Sequence, residues 1–493
     1  MDLIGYGFLV ERFGLDVCQP CVRCVRIDGS AATFQRDGWR ELRGVPARSA
    51  PKDDRWQTHL SFAIRHEAVN LEVLKAFFGV VSESELRDFV LMRRTGRTCR
   101  RVGFFYEWLT GRRLDIPDLD AGNYIQALDP ARQLALPAVS SRRSRRFRIL
   151  DNLPGVPAFC PCLRWTPSLR ELSSDVLRRE ADRLLADYSP ELLYRAVRYL
   201  YVKETKSSFE IEHETPGQRR TEAFVALLRD ASSPPWDEDW LVSLQNRIVD
   251  PRYANSGWRA TQVYVGETLA PGRERVHYIA PRQSDIAGLM EGWLASSARL
   301  LASTQIDAVA VAAVLAFSFV FLHPFDDGNG RIHRFLLHDV LRRCGFTAEG
   351  VVLPVSAVLL RRPELYDRML ESVSSRIMPR VRFSMDDRGE ISVAGDTADL
   401  YRYADYTFVA ENFARVALET IRTEWKSELD FLRDYDRARA RMRDIVDMPE
   451  KQANLLLRLV LQNGGRLAAR KRSLFPELSD DEISALELAC QRE

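Results

Sequence analysis

The chain has 493 residues, 46% hydrophobic and 28% charged, with a formal net charge of +2, enough core-forming material for about three domains of ordinary size. No internal repeat or low-complexity tract occurs, and the longest apolar run is too short to span a bilayer. Met1-Asp-Leu-Ile-Gly5 lacks the basic start, apolar stretch and cleavage site of a secretory leader, so no membrane contact is expected and the expected compartment is the cytoplasm.

Residues 1–165 read as a basic N-terminal domain of unknown role. The first 150 residues hold 25 Lys and Arg against 18 Asp and Glu. The run Arg142-Arg-Ser-Arg-Arg-Phe-Arg148 could meet an acidic partner or nucleic acid phosphates, but a solvated loop is the preferred reading. Cys18, Cys21 and Cys24 with Cys160-Pro-Cys162 are raw material for a zinc knuckle. Their spacing matches no standard zinc module closely, so reduced structural thiols are expected. The domain should end near Pro161–Pro167.

From Ser168, helical periodicity runs through Leu169, Leu172, Val176, Leu177, Leu184 and Leu185, then Leu192–Val202, ending in acidic Ser207-Ser-Phe-Glu-Ile-Glu-His213. Thr261–Gly266 and Arg275–Ala280 alternate and are joined by a segment containing Pro271-Gly272, which predicts a hairpin. Ala308–Leu322 is continuously apolar and predicts a helix buried on all sides. Ile332, Phe335, Leu336 and Val340 keep helical spacing up to the cap signal at Gly345. Beyond 383, Met385–Gly389 reads as a turn, Ile391–Val393 and Leu400–Thr407 as strand-like, and the rest as helical. At the end of the chain, residues 463–483 could form a helix-turn-helix-like unit, with Ser479 and Glu482 at capping-box spacing. Its basic cluster is short, so packing or dimerisation is preferred to DNA binding.

The densest chemistry is His323-Pro-Phe-Asp-Asp-Gly-Asn-Gly-Arg-Ile-His-Arg334, a loop that opens a helix. Gly328 and Gly330 can take positive φ and turn N–H groups toward an anion, to which the helix N-terminus adds partial positive charge. His323 is suited to remove a proton from a hydroxyl. Asp327 is a hard oxygen ligand for Mg²⁺, Asn329 and Arg331 can hold phosphate oxygens, and Arg334 can reach a terminal phosphate. Phe325 reads as a core anchor, and His333 and His338 as structural or surface residues.

These residues have the form His-x-Phe-x-Asp-Gly-Asn-Gly-Arg-x-x-Arg, which resembles the signature of Fic-domain proteins. The resemblance implies a mainly α fold, a Fic-type helical bundle with a β-hairpin flap over residues 166–383, flanked by the N-terminal domain and a mostly helical C-terminal domain, 384–493. It implies transfer of AMP from Mg²⁺-ATP to a Ser, Thr or Tyr hydroxyl of a target protein, with His323 as base. Ser208 to Glu212 resembles the family's inhibitory motif Ser/Thr-x-x-x-Glu-Gly/Asn, so Glu212, near the end of an inhibitory helix at about 205–213, would pair with Arg334 and obstruct the γ-phosphate; His213 departs from the expected Gly or Asn. The hairpin at about 261–280 resembles the flap, with Tyr278 and Ile279 as target contacts. Self-modification, a second copy of the chain and nucleic acid stay open as partners. The alternatives are transfer of another phosphate-containing group, removal of AMP, or a non-catalytic nucleotide-gated regulator acting through its terminal domains.

Overall fold

The computed structural model describes residues 2–230, 235–270, 273–303, 305–347, 351–386 and 388–490. At its centre stands the helix Ala308–Leu322, in which every residue but Val320 is buried. Because no face is polar, it must be wrapped on all sides. The helices Ser174–Leu185, Gln283–Leu301, Asn329–Arg343 and Thr407–Thr420 pack around it. Asp307 caps the first turn by accepting the Ala310 N–H at 2.9 Å, and its carboxylate also accepts the Ser174 N–H and hydroxyl. The central helix and the helix starting at Ser174 thus begin at one shared carboxylate.

The 22-residue helix Pro190–Ile211 lies against Asn329–Arg343, Val355–Arg361 and Lys426–Ile445. The large core continues past residue 383 through Ile391, Leu400, Tyr401, Val409 and Phe413 to Trp425, so the expected boundary near 383 falls inside it. Leu400–Thr407 is not a strand. Ala398–Arg402 is a helical turn that buries Leu400 and Tyr401, and a second helix begins at Thr407. A short apolar run has no period long enough to separate the two states, and here packing against Gln283–Leu301 decided for the helix.

The N-terminal part has its own core around Leu74, Phe77, Phe78 and Phe105. A four-stranded sheet in the order Leu3–Ile4, Val22–Ile27, Arg40–Pro46, Thr33–Asp37 borders it. The basic run is part strand and part turn, and more than half of its arginines face solvent. Arg142–Ser144 is a strand, Arg146 pairs with Glu107 at 2.8 Å and also with Asp118, and Arg148 donates to the carbonyls of Leu119 and Asp120. Arg146 and Arg148 are thus satisfied internally, whereas Arg142, Arg143 and Arg145 remain exposed. Cys18, Cys21, Cys24 and Cys160 are buried free thiols, and burial pushes Cys21 up to about 11. Among the described residues no group of three or more His, Cys, Asp or Glu is placed to hold a metal.

At the C-terminal end, Lys426–Ile445, Glu450–Gln462 and Asp480–Ala489 enclose a small core of Met442, Leu456, Leu457, Phe475 and Leu486. Ser479 and Glu482 form the capping box. That last helix opens with Asp480, Asp481 and Glu482, whose charges would repel a nucleic acid backbone. No helix among the described residues is long and apolar enough to cross a membrane.

Candidate active site

The central helix delivers His323 at its C-terminal end, with the His323 N–H donating to the Phe319 carbonyl at 3.0 Å. Its φ of 50° is left-handed, a conformation that costs a non-glycine residue of order 1–2 kcal/mol and persists only where the surroundings enforce it. Arg259 provides that enforcement. Only 1% exposed, it donates to the carbonyls of His323 at 2.8 Å, Thr261 at 2.6 Å and Pro281 at 2.6 Å, while its backbone N–H reaches the Pro324 carbonyl. Burial, then the nearby Arg259 charge, pushes the His323 imidazole down to about 4, so at neutral pH it is an uncharged base.

Below His323 the loop is held by its own side chains. Asn329 accepts the Phe325 N–H at 3.1 Å and donates to the Phe325 carbonyl at 2.8 Å, while the Phe325 ring is fully buried. The Asn329 amide is therefore a staple across the turn, with one of its two N–H donors committed to the Phe325 carbonyl. Gly328 takes φ 90° at the helix N-cap, as expected. Gly330 does not; it lies in the first helical turn. Its lack of a side chain has another reason: a Cβ there would stand 2.2 Å from a carboxylate oxygen of Glu212. Amides of the first turn have no helical carbonyl to bond, which leaves an anion cradle facing the loop.

Both arginines of the loop are buried and both meet carboxylates. Arg334, 0% exposed, donates to the Ser208 hydroxyl at 2.8 Å, the Ser208 carbonyl at 2.7 Å and Glu212 Oε1 at 2.7 Å. Burial pushes the Glu212 carboxyl up, but Arg334 outweighs it and holds the group below the ordinary carboxylate range. Arg331 pairs with Asp327 at 2.9 Å and with Glu214 at 3.0 Å, and lies over the Phe209 ring. Asp327 also accepts the Gly328 N–H at 2.6 Å and keeps 44% of its side chain exposed. Further along the same two helices His338 meets Glu204 at 2.8 Å, and His333 is buried between Phe317 and Tyr366.

The hairpin pairs Tyr264–Ala270 with Arg273–Ile279; Pro271 and Gly272 lie outside the described residues. Tyr278 and Ile279 are not presented to a target. Tyr278 is buried, donates its hydroxyl to the Phe321 carbonyl at 2.5 Å and packs edge-on to Phe321 and Tyr401. Ile279 is fully buried, and its carbonyl accepts the Tyr401 hydroxyl. They root the hairpin in the core, whereas Val265 and Leu269 on its other strand are exposed.

Sequence reasoning missed Arg259 and Glu214. Arg259 carries no recognisable local signal, because its partners are all backbone carbonyls. Glu214 carries no local signal either, because it lies beyond the end of the helix that bears Glu204 and Ser208 and reaches Arg331 only through the turn at His213.

A histidine at the end of a buried helix, followed by a loop that opens the next helix with two buried arginines, defines a helical protein with a candidate anion-binding site. Residues 235–341 match the Fic/DOC family model. The protein adenylyltransferase Fic of Culex quinquefasciatus is 32% identical over 167 residues, 33% of this chain and 29% of that protein. The Aedes aegypti protein of the same name is 33% identical over 170 residues, again 33% and 29% of the two chains. The chain thus spans under a third of the length of these curated relatives. A Fic family protein from Desulfovibrio desulfuricans G20 superposes at 19% identity and a TM-score of 0.39, over 64% of this chain and 87% of that one. Residues 235–341 of this chain are thus similar to the Fic/DOC family.

Proposed function

We propose that the chain is a protein adenylyltransferase that moves AMP from ATP onto a Ser, Thr or Tyr hydroxyl of a target protein, and that Glu212 holds it in check. The observation that carries this reading is a partly buried, uncharged His323 beside an anion cradle with two buried arginines. The target hydroxyl oxygen attacks the α-phosphorus, His323 takes the hydroxyl proton, the bond to the β-phosphate oxygen breaks and pyrophosphate leaves. Arg331, Arg334 and the first-turn amides hold the phosphates. The named relatives support the transferred group, since both are called protein adenylyltransferase.

Asp327 fits a Mg²⁺ that arrives with the nucleotide: it is a half-exposed carboxylate at the cradle, and such ions take one or two carboxylates with phosphate and water oxygens in place of a protein cage. Bound there, the ion would neutralise phosphate charge. Inhibition is supported by Glu212 sitting on Arg334, a carboxylate where a phosphate would bind.

Intact-protein mass spectrometry after incubation with ATP and Mg²⁺ tests both parts. Wild type should show little self-labelling, and Glu212→Gly should gain AMP units readily. A gain of any other mass overturns the transferred group, and equal labelling of the two proteins overturns the inhibition.

A further inference from the structure

The helix Pro190–Ile211 ends in a defined turn. The His213 N–H donates to the Glu210 carbonyl at 3.0 Å and the Glu214 N–H to the Phe209 carbonyl at 3.1 Å, with His213 between them at a left-handed φ of 57°. This is the Schellman arrangement, in which the left-handed position favours Gly or Asn. It gives a physical reason for Gly or Asn after the inhibitory glutamate, and shows that His213 keeps the turn. The turn also reverses the chain so that Glu214, two residues on, returns to the loop.

There Glu214 meets Arg331 at 3.0 Å, and its other oxygen meets Arg220 at 2.9 Å. Phe209, from the same helix end, lies between the two guanidinium groups, 5.5 Å from Arg331 and 4.9 Å from Arg220. An ordinary surface ion pair would have two exposed partners, but Arg331 is 2% exposed and stands in the anion cradle. Glu212 and Glu214 therefore straddle one turn and reach different arginines of the same loop.

We infer that Glu214 is a second inhibitory carboxylate, which occupies Arg331 while Glu212 occupies Arg334, so that the nucleotide must displace both and the turn at His213 aims the pair. The inference rests on the proposed nucleotide site. Both arginines gain their phosphate partners only when Glu212 and Glu214 both leave them, so removing Glu212 alone frees only half of the cradle. With Arg334 at the terminal phosphate and Arg331 deeper in the loop, the two carboxylates should also discriminate nucleotides differently. Glu212 should oppose ATP more than ADP; Glu214 should oppose both.

Calorimetric titration of ATP and ADP into a His323→Ala background, which removes turnover, separates these effects. Glu214→Gln should tighten both nucleotides by about fivefold, Glu212→Gln should tighten ATP with little effect on ADP, and the double variant should exceed either single one for ATP. Gln preserves shape, and a melting curve of each variant verifies the fold. If Glu214→Gln leaves both affinities unchanged while Glu212→Gln tightens ATP, Glu214 is a structural ion pair and the inference fails, with the nucleotide site intact. If none of the variants binds ATP, the proposed function itself fails.

Discussion

The two sides of the candidate site are built to different standards of rigidity. On the loop side, His323, Pro324 and Phe325 are gripped by Arg259 and Asn329 from within the largest core of the molecule. On the opposite side, Glu212 and Glu214 sit at a helix end, 35% and 34% exposed, joined by a residue in a left-handed conformation that its Cβ disfavours. One side is a fixed cradle with strain locked in by buried hydrogen bonds. The other is a short turn, Glu212 to Glu214, whose side chains are partly exposed beyond the buried Phe209 that anchors the helix end, and exposed turns of this kind open at low free-energy cost. On the proposed function, such a site would be preorganised for transfer and still held off, because the proposed obstruction lies in the less rigid half.

His323→Ala should lower transfer by about 10²- to 10⁴-fold, the range for loss of a general base, while ATP affinity in a titration stays near wild type. A parallel loss of affinity would mean that the cradle depends on the base and is not independently fixed. Next in size, Arg259→Lys keeps a charge but loses the fork that holds three carbonyls. It should slow transfer about tenfold at saturating ATP with KM nearly unchanged, because the base is misplaced and not removed. Arg259→Met leaves those carbonyls without a donor and should cost about 3 kcal/mol in denaturant unfolding. If transfer by the lysine variant equals wild type, Arg259 is only a structural group.

A smaller effect is expected on the side of the Glu212–Glu214 turn. His213→Gly removes Cβ strain worth about 1 kcal/mol at a left-handed position, which should stabilise the closed turn and weaken ATP binding by up to about fivefold. Tighter ATP binding in that variant would show that the turn does not belong to the closed state. The smallest expected change lies in pH dependence. A free histidine titrates near 6.5, and with His323 held at about 4 its neutral base form persists down to that pH, so the acid limb of the rate should lie near 4. The Glu212 carboxylate raises His323, so Glu212→Gly should move that limb lower still. An acid limb near 6.5 would place the base in water and contradict the buried cradle.

Much of this was legible from residue order because it depends on local chemistry. An unbroken apolar run of this length reads as a wrapped helix and positive φ at Gly328 follows from a turn into a helix, whereas the carboxylate of Glu212 opposite Arg334 was implied only by the resemblance to the Fic inhibitory motif. The alternation of the hairpin strands was equally local, but its direction was not: Tyr278 could face a target or the core, and the Phe321 carbonyl and the Tyr401 ring decided for the core. Asn329 was readable as a phosphate group, and the turn commits part of its amide to the Phe325 backbone.

By itself, then, the chain's order determined most of the elements and the residues of the candidate base and cradle, because helical period, glycine conformation and residue chemistry act over a few neighbours. Tertiary structure alone decided that Arg259, 64 residues before His323, holds its carbonyl, and that Glu214, 117 residues before Arg331, lies beside it. Contacts between distant segments are set by how cores pack and where each helix ends, and no local pattern encodes a bond to a backbone carbonyl elsewhere in the chain.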